Sequence, residues 1–90
     1  MEKTKFNTPF QMSTRDINQA AVAKAARYPV EAVRQAGARR CVFYIDDTPA
    51  VRALINRYER RELLEINPKD ILNARTELYH QAARALREAA

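Results

Sequence analysis

The chain contains one glycine, Gly37, one cysteine, Cys41, one histidine, His80, and no tryptophan. With a single glycine, the Gly-rich loops that cradle phosphate in P-loop and Rossmann sites are excluded. A lone cysteine builds no disulfide framework within one chain, which fits a reducing compartment and makes the cytoplasm the expected location. A metal site built on one histidine would need carboxylates or a second subunit to complete it, so no metal and no cofactor is expected. No apolar run approaches membrane-spanning length, and the opening Met1-Glu2-Lys3-Thr4-Lys5 is not followed by a signal-peptide core. Repeats, linkers and low-complexity tracts are missing as well.

What is present is charge. Sixteen basic and 11 acidic residues leave a net charge of +5, and arginine outnumbers lysine twelve to four. Guanidinium groups bind phosphate bidentately, so this balance favours a polyanionic partner. A solvated basic surface explains the same composition without any partner. Ninety residues, 47% of them apolar, make one domain with a core of modest size, and a homodimer would bury more surface than a monomer.

The stretch Arg39-Arg40-Cys41-Val42-Phe43-Tyr44-Ile45-Asp46-Asp47-Thr48-Pro49 has the clearest local reading. Its β-branched and aromatic run predicts a strand. Asp47 and Thr48 are capping residues, and Pro49 suits the first position of a helix. Cys41, Phe43 and Ile45 fall on one face of that strand, Val42 and Tyr44 on the other. Apolar residues on both faces predict an inner strand with Cys41 buried and inert.

Around it the pattern predicts an α+β domain with a small antiparallel sheet. Residues 1–8 read as a loose tail and 10–12 as an edge strand. A first helix is expected over about 14–27, opened by Ser13 or Thr14 with Asp16 in its first turn, and closed ahead of Pro29. Tyr28 to Ala36 suits a helix or a strand; the strand reading, a hairpin over about 28–46 turning near Gly37, supplies the inner strand with a neighbour. A second helix over about 49–61 carries Val51, Leu54, Ile55 and Tyr58 on one face. Leu63 to Ile66 forms a short extended link or a small strand. Asn67 and Pro68 then open a third helix over 68–88 with the stripe Ile71, Leu72, Arg75, Leu78, Tyr79, Ala82 and Leu86.

The run Phe10 to Ile71 resembles a family of small, uncharacterised prokaryotic proteins classed as a domain of unknown function. The matching features are Phe-x-Met-Ser-Thr-Arg-Asp-Ile at Phe10 to Ile17, the alanine-rich helix after it, and the basic aromatic strand Arg39 to Ile45. Asp47-Thr48-Pro49, the Val51/Leu54/Ile55/Tyr58 face and a closing helix complete it. The resemblance supports the hairpin and implies no activity.

Two sets of residues invite a functional reading. Asp46 and Asp47 at a strand end suit a magnesium-dependent phosphoryl chemistry. Adjacent strand residues point apart, however, no further acidic motif completes such a site, and capping accounts for Asp47. An enzyme is therefore not expected. The arginines are the stronger signal. Arg39 and Arg40 begin the central strand, while Arg52, Arg57, Arg60 and Arg61 lie on the outer side of the second helix. Together they predict a nucleic-acid-binding face for DNA or RNA, with Tyr44 or Tyr58 available for stacking. The alternative is a protein-interaction or dimerisation module using the final helix through Tyr79, His80 and Leu86. A ribbon-helix-helix arrangement fits poorly, because Val42 and Tyr44 would have to read the bases.

Overall fold

A computed structural model describes residues 6–88. The elements run β1 (Gln11–Thr14), α1 (Ile17–Ala25), β2 (Val30–Arg34), β3 (Cys41–Asp46), α2 (Pro49–Glu59) and α3 (Pro68–Glu88). The three strands form one antiparallel sheet in the order β1-β3-β2, so the α+β architecture and the hairpin are as expected. Cys41–Asp46 is the central strand, flanked in register by Met12 and Val30 at Ile45, and by Thr14 and Ala32 at Phe43.

Gly37 closes the hairpin with φ 73°. The Ala38 N–H donates to the Gln35 carbonyl at 3.1 Å, a four-residue turn whose third position favours a left-handed residue. A Cβ added to Gly37 would meet no atom within 4 Å, so it is backbone conformation rather than space that selects glycine.

The first helix starts later than its sequence pattern implies. Asp16 is the N-cap, its carboxylate accepting from the N–H groups of Asn18 and Gln19, while Ser13 and Thr14 belong to β1. Pairing with Phe43 and Tyr44 keeps Ser13 and Thr14 extended, so the helix begins only at Ile17, and the Thr14 hydroxyl accepts from the Asp16 N–H at 3.1 Å instead. Both α1 and α2 end in the same device. Arg27 and Arg61 adopt φ of 72° and 60°, and backbone bonds from Arg27 to Lys24, Tyr28 to Ala23, Arg61 to Tyr58 and Glu62 to Arg57 complete two Schellman motifs. Thr48 caps α2 through its hydroxyl, and Asn67 caps α3 by accepting from the Lys69 N–H. Leu63 to Ile66 is an irregular link rather than a strand.

Helices α1 and α3 pack on one face of the sheet, and α2 packs on α1. Four consecutive α1 residues, Ala20, Ala21, Val22 and Ala23, are fully buried, because neighbours surround the helix on several sides. Small side chains allow that close approach, as the alanine run implies. Phe43, Ile45 and Val30 from the sheet meet Val51, Ile55, Ala74 and Leu78 from the helices in one core.

The opposite face of the sheet has no second layer among the described residues. Val42, Tyr44 and Val33 are only half-buried there. The expectation of a strand packed on both faces is thus corrected: β3 is central within the sheet, yet three helices confined to one side cover only one face. Cys41, on the helix side, is also half-buried rather than enclosed. Of the expected tail, residues 1–5 lie outside the described residues. Asn7 and Thr8 are tied down by bonds to Asp46.

Candidate nucleic-acid interface

The arginines separate into groups that the topology places differently. Six residues of β3, at about 3.3 Å each, put Arg39 and Arg40 roughly 20 Å from the strand end that feeds α2. Helix α2 then runs back from that end, and its last turn approaches the start of α1, where Gln19 Nε2 donates to Glu59 at 2.6 Å.

Arg52 stands at the other end, beside Asp47. Its Nε and Nη2 reach the two carboxylate oxygens of Asp47 at 2.5 and 2.8 Å, a fork-on-fork pair. Hydrogen bonding from Arg52, set against slight desolvation and helped by its charge, holds Asp47 below the ordinary carboxylate range. The same bonds raise the Arg52 guanidinium. Both residues are committed to each other.

The last turn of α2 is mixed. Arg57 donates to the Leu63 carbonyl at 2.7 Å, and Arg57 and Arg60 both lie 3.9 Å from the Glu62 carboxylate. Arg61 forms the left-handed residue of the helix stop, with no ion pair among the described residues. All three remain exposed.

A third group gathers at the hairpin end. Arg34 on β2, Arg39 in the loop, and Leu86 with Arg87 in the last turn of α3 line a cleft of about 430 Å³. Arg34 also donates to the Ala38 carbonyl at 3.2 Å, which ties it to the turn. The sequence singled out Arg39 but neither Arg34 nor Arg87. They lie 5 and 48 positions away from it, and only the passage of α3 across β2 brings them together. Arg40, the next residue along the chain, is exposed, and neither Arg39 nor Arg40 makes an ion pair among the described residues.

The two carboxylates at the strand end have separate structural duties. Asp46 is 2% exposed and accepts from the Asn7 N–H at 2.8 Å, the Thr8 N–H at 3.3 Å, the Thr8 hydroxyl at 3.1 Å and Gln11 Nε2 at 3.5 Å. Burial alone would push its carboxyl up; these donors outweigh that and hold it below the ordinary range. No group of three or more histidine, cysteine or acidic side chains with metal-binding geometry occurs among the described residues. Burial pushes the Cys41 thiol up, against a lowering from the Arg34 charge, and its Sγ–H points at the Ala82 carbonyl at 3.5 Å.

On α3, Tyr79 and His80 are exposed while Leu86 turns partly into the basic cleft. Arg75 holds Tyr79 from both sides of its chemistry. The guanidinium lies 5.0 Å from the ring centroid and donates to the hydroxyl at 3.2 Å, while its Nε bonds Asn18 at 3.0 Å. No described helix is long and apolar enough to cross a membrane.

Comparison with known proteins returns no family model, no curated protein and no solved structure that matches this chain.

Proposed function

We propose that this protein acts by binding nucleic acid, with the arginines of the hairpin end as its principal phosphate contacts. The observation that carries this reading is the convergence of Arg34, Arg39 and Arg87 on one cleft, in a chain of net charge +5. Clustered guanidinium groups neutralise successive phosphates and release their counterions. Arg57, Arg60 and Arg61 supply a second, weaker patch, because Glu62 shares its charge with two of them. Arg52 drops out of the set, since Asp47 already occupies its fork. A binding role rather than catalysis accords with Asp46 and Asp47 both being engaged within the fold. In this reading the protein works in the cytoplasm of a prokaryote.

A titration of labelled DNA and RNA at several salt concentrations tests the proposal. Affinity should fall steeply with salt, and Arg39→Glu with Arg40→Glu should weaken binding to all sequences and flatten that dependence. Arg52→Gln should leave it unchanged. Absence of salt-sensitive binding to any nucleic acid at low ionic strength overturns it.

The second reading is a protein partner or a second copy on the outer side of α3. Leu72 and Tyr79, 62% and 51% exposed, stand seven residues apart on that helix and so share a face. Sedimentation of wild type beside a Leu72→Glu, Tyr79→Ala variant tests it. A homodimer through this face becomes a monomer on substitution.

A further inference from the structure

We propose that the uncovered face of the sheet is a platform for a single strand of DNA or RNA, on which a base stacks against Tyr44. This rests on the nucleic-acid reading above and specifies the class of ligand.

The register places the residues. Tyr44 sits at the middle of the three-stranded sheet, directly between Ser13 on β1 and Glu31 on β2. Two residues back along β3, Val42 pairs with Val33 on the same face. The Gln35 N–H donates to the Arg40 carbonyl at 2.9 Å, which extends the ladder one pair further. Alternation along the strand therefore puts Arg40 on this face, in line with Val42 and Tyr44. Arg15, exposed, lies in the bend directly after Thr14, the partner of Phe43. One end of the face thus carries the exposed Arg40, with the exposed Arg15 in the bend after β1, and its centre carries a half-buried ring on a half-buried apolar patch.

The far end carries an enclosed negative charge. Asp46 belongs to this face by register, but Asn7, Thr8 and Gln11 enclose its carboxylate. Glu31 is the one exposed carboxylate at a strand position of this face. A polyanionic backbone entering past Arg40 and Arg15 brings its bases over Val42 and Tyr44 with Glu31 at the border.

The shape selects a single strand over a duplex. All three helices lie on the other side of the sheet, so among the described residues no helix projects from this face to enter a groove. A pleated surface with a central aromatic ring can instead receive an unpaired base, whose π-face is hidden in a duplex. Stacking tolerates any base, so the selectivity expected is for strandedness rather than sequence.

The experiment uses anisotropy with labelled single strands and a matched duplex at low salt, on wild type, Tyr44→Ala and Tyr44→Phe, with melting curves to keep every variant folded at the assay temperature. Wild type should prefer the single strand. Tyr44→Ala should lose roughly 5- to 150-fold of that affinity, the range of one stacked base, and Tyr44→Phe should retain it. Because the chain has no tryptophan, Tyr44→Trp supplies a lone reporter whose emission an added single strand should quench. Salt-sensitive binding that Arg39→Glu weakens but that Tyr44→Ala and Tyr44→Trp do not register overturns the platform and leaves the nucleic-acid reading standing. A preference for duplex has the same meaning. Wild type that binds no nucleic acid removes both.

Discussion

Asp46 and Thr8, thirty-eight positions apart, meet through the Thr8 backbone N–H and hydroxyl, both donating to the same carboxylate oxygen at 3.3 and 3.1 Å. With Asn7 on the other oxygen, the contact fastens the segment ahead of β1 over the end of the central strand. The bond from the Asp47 N–H to the Phe10 carbonyl, at 2.9 Å, continues the same closure by extending the β1–β3 ladder.

This closure should depend on pH. The Asp46 carboxyl is held below the ordinary range in the folded protein, so between its folded and unfolded values the unfolded chain binds more protons. Its contribution is therefore complete above the unfolded value, near 4, and is lost as pH falls through the folded value. Thermal melts of wild type and Asp46→Asn across acidic pH check this. The variant should be less stable at neutral pH by about 1–3 kcal/mol and should lose less on acidification. Parallel curves for the two proteins would count against the assignment.

The two left-handed arginines predict an unusual pair of stabilising substitutions. At φ 72° and 60° a side chain crowds the following carbonyl, and glycine does not. Arg27→Gly and Arg61→Gly should each raise the denaturant midpoint, by about 1 kcal/mol in folding free energy at most, since glycine also loosens the unfolded chain. A fall in midpoint for both would mean that their side chains contribute more to the fold than their backbones cost.

Leu72 and Leu78 lie on the same helix with opposite fates, 62% exposed and fully buried. Leu78→Ala should cost about 2–5 kcal/mol by opening a cavity between α1, α3 and the sheet. Leu72→Ala should stay within about 0.5 kcal/mol. Urea unfolding of the two variants reads the contrast directly. Equal costs would place Leu72 in an interface that survives in solution.

Local chemistry was enough to set several features of this protein. The run Cys41 to Ile45 is a strand because its side chains crowd a helix and suit a pleated surface. Pro49, Pro68 and the Thr48 and Asn67 caps mark helix starts because the groups they satisfy lie within three residues. Gly37 marks its turn for an equally local reason, a φ that other residues avoid. Tertiary structure decided the rest. Pairing with β3 made Thr14 a strand residue and passed the cap to Asp16, a choice that depends on a partner twenty-nine positions away, Phe43. The stacking of α2 on α1 left Tyr44 and Val42 on an open face, although alternation alone made both faces of their strand look equally apolar. The arginines show the same division: their number could be counted from the chain, but which of them stand together could not. Charge attaches to residues, whereas a binding surface belongs to the path of the backbone, and it was the passage of α3 over β2 that joined Arg87 to Arg34 and Arg39 while Asp47 took Arg52 out of play.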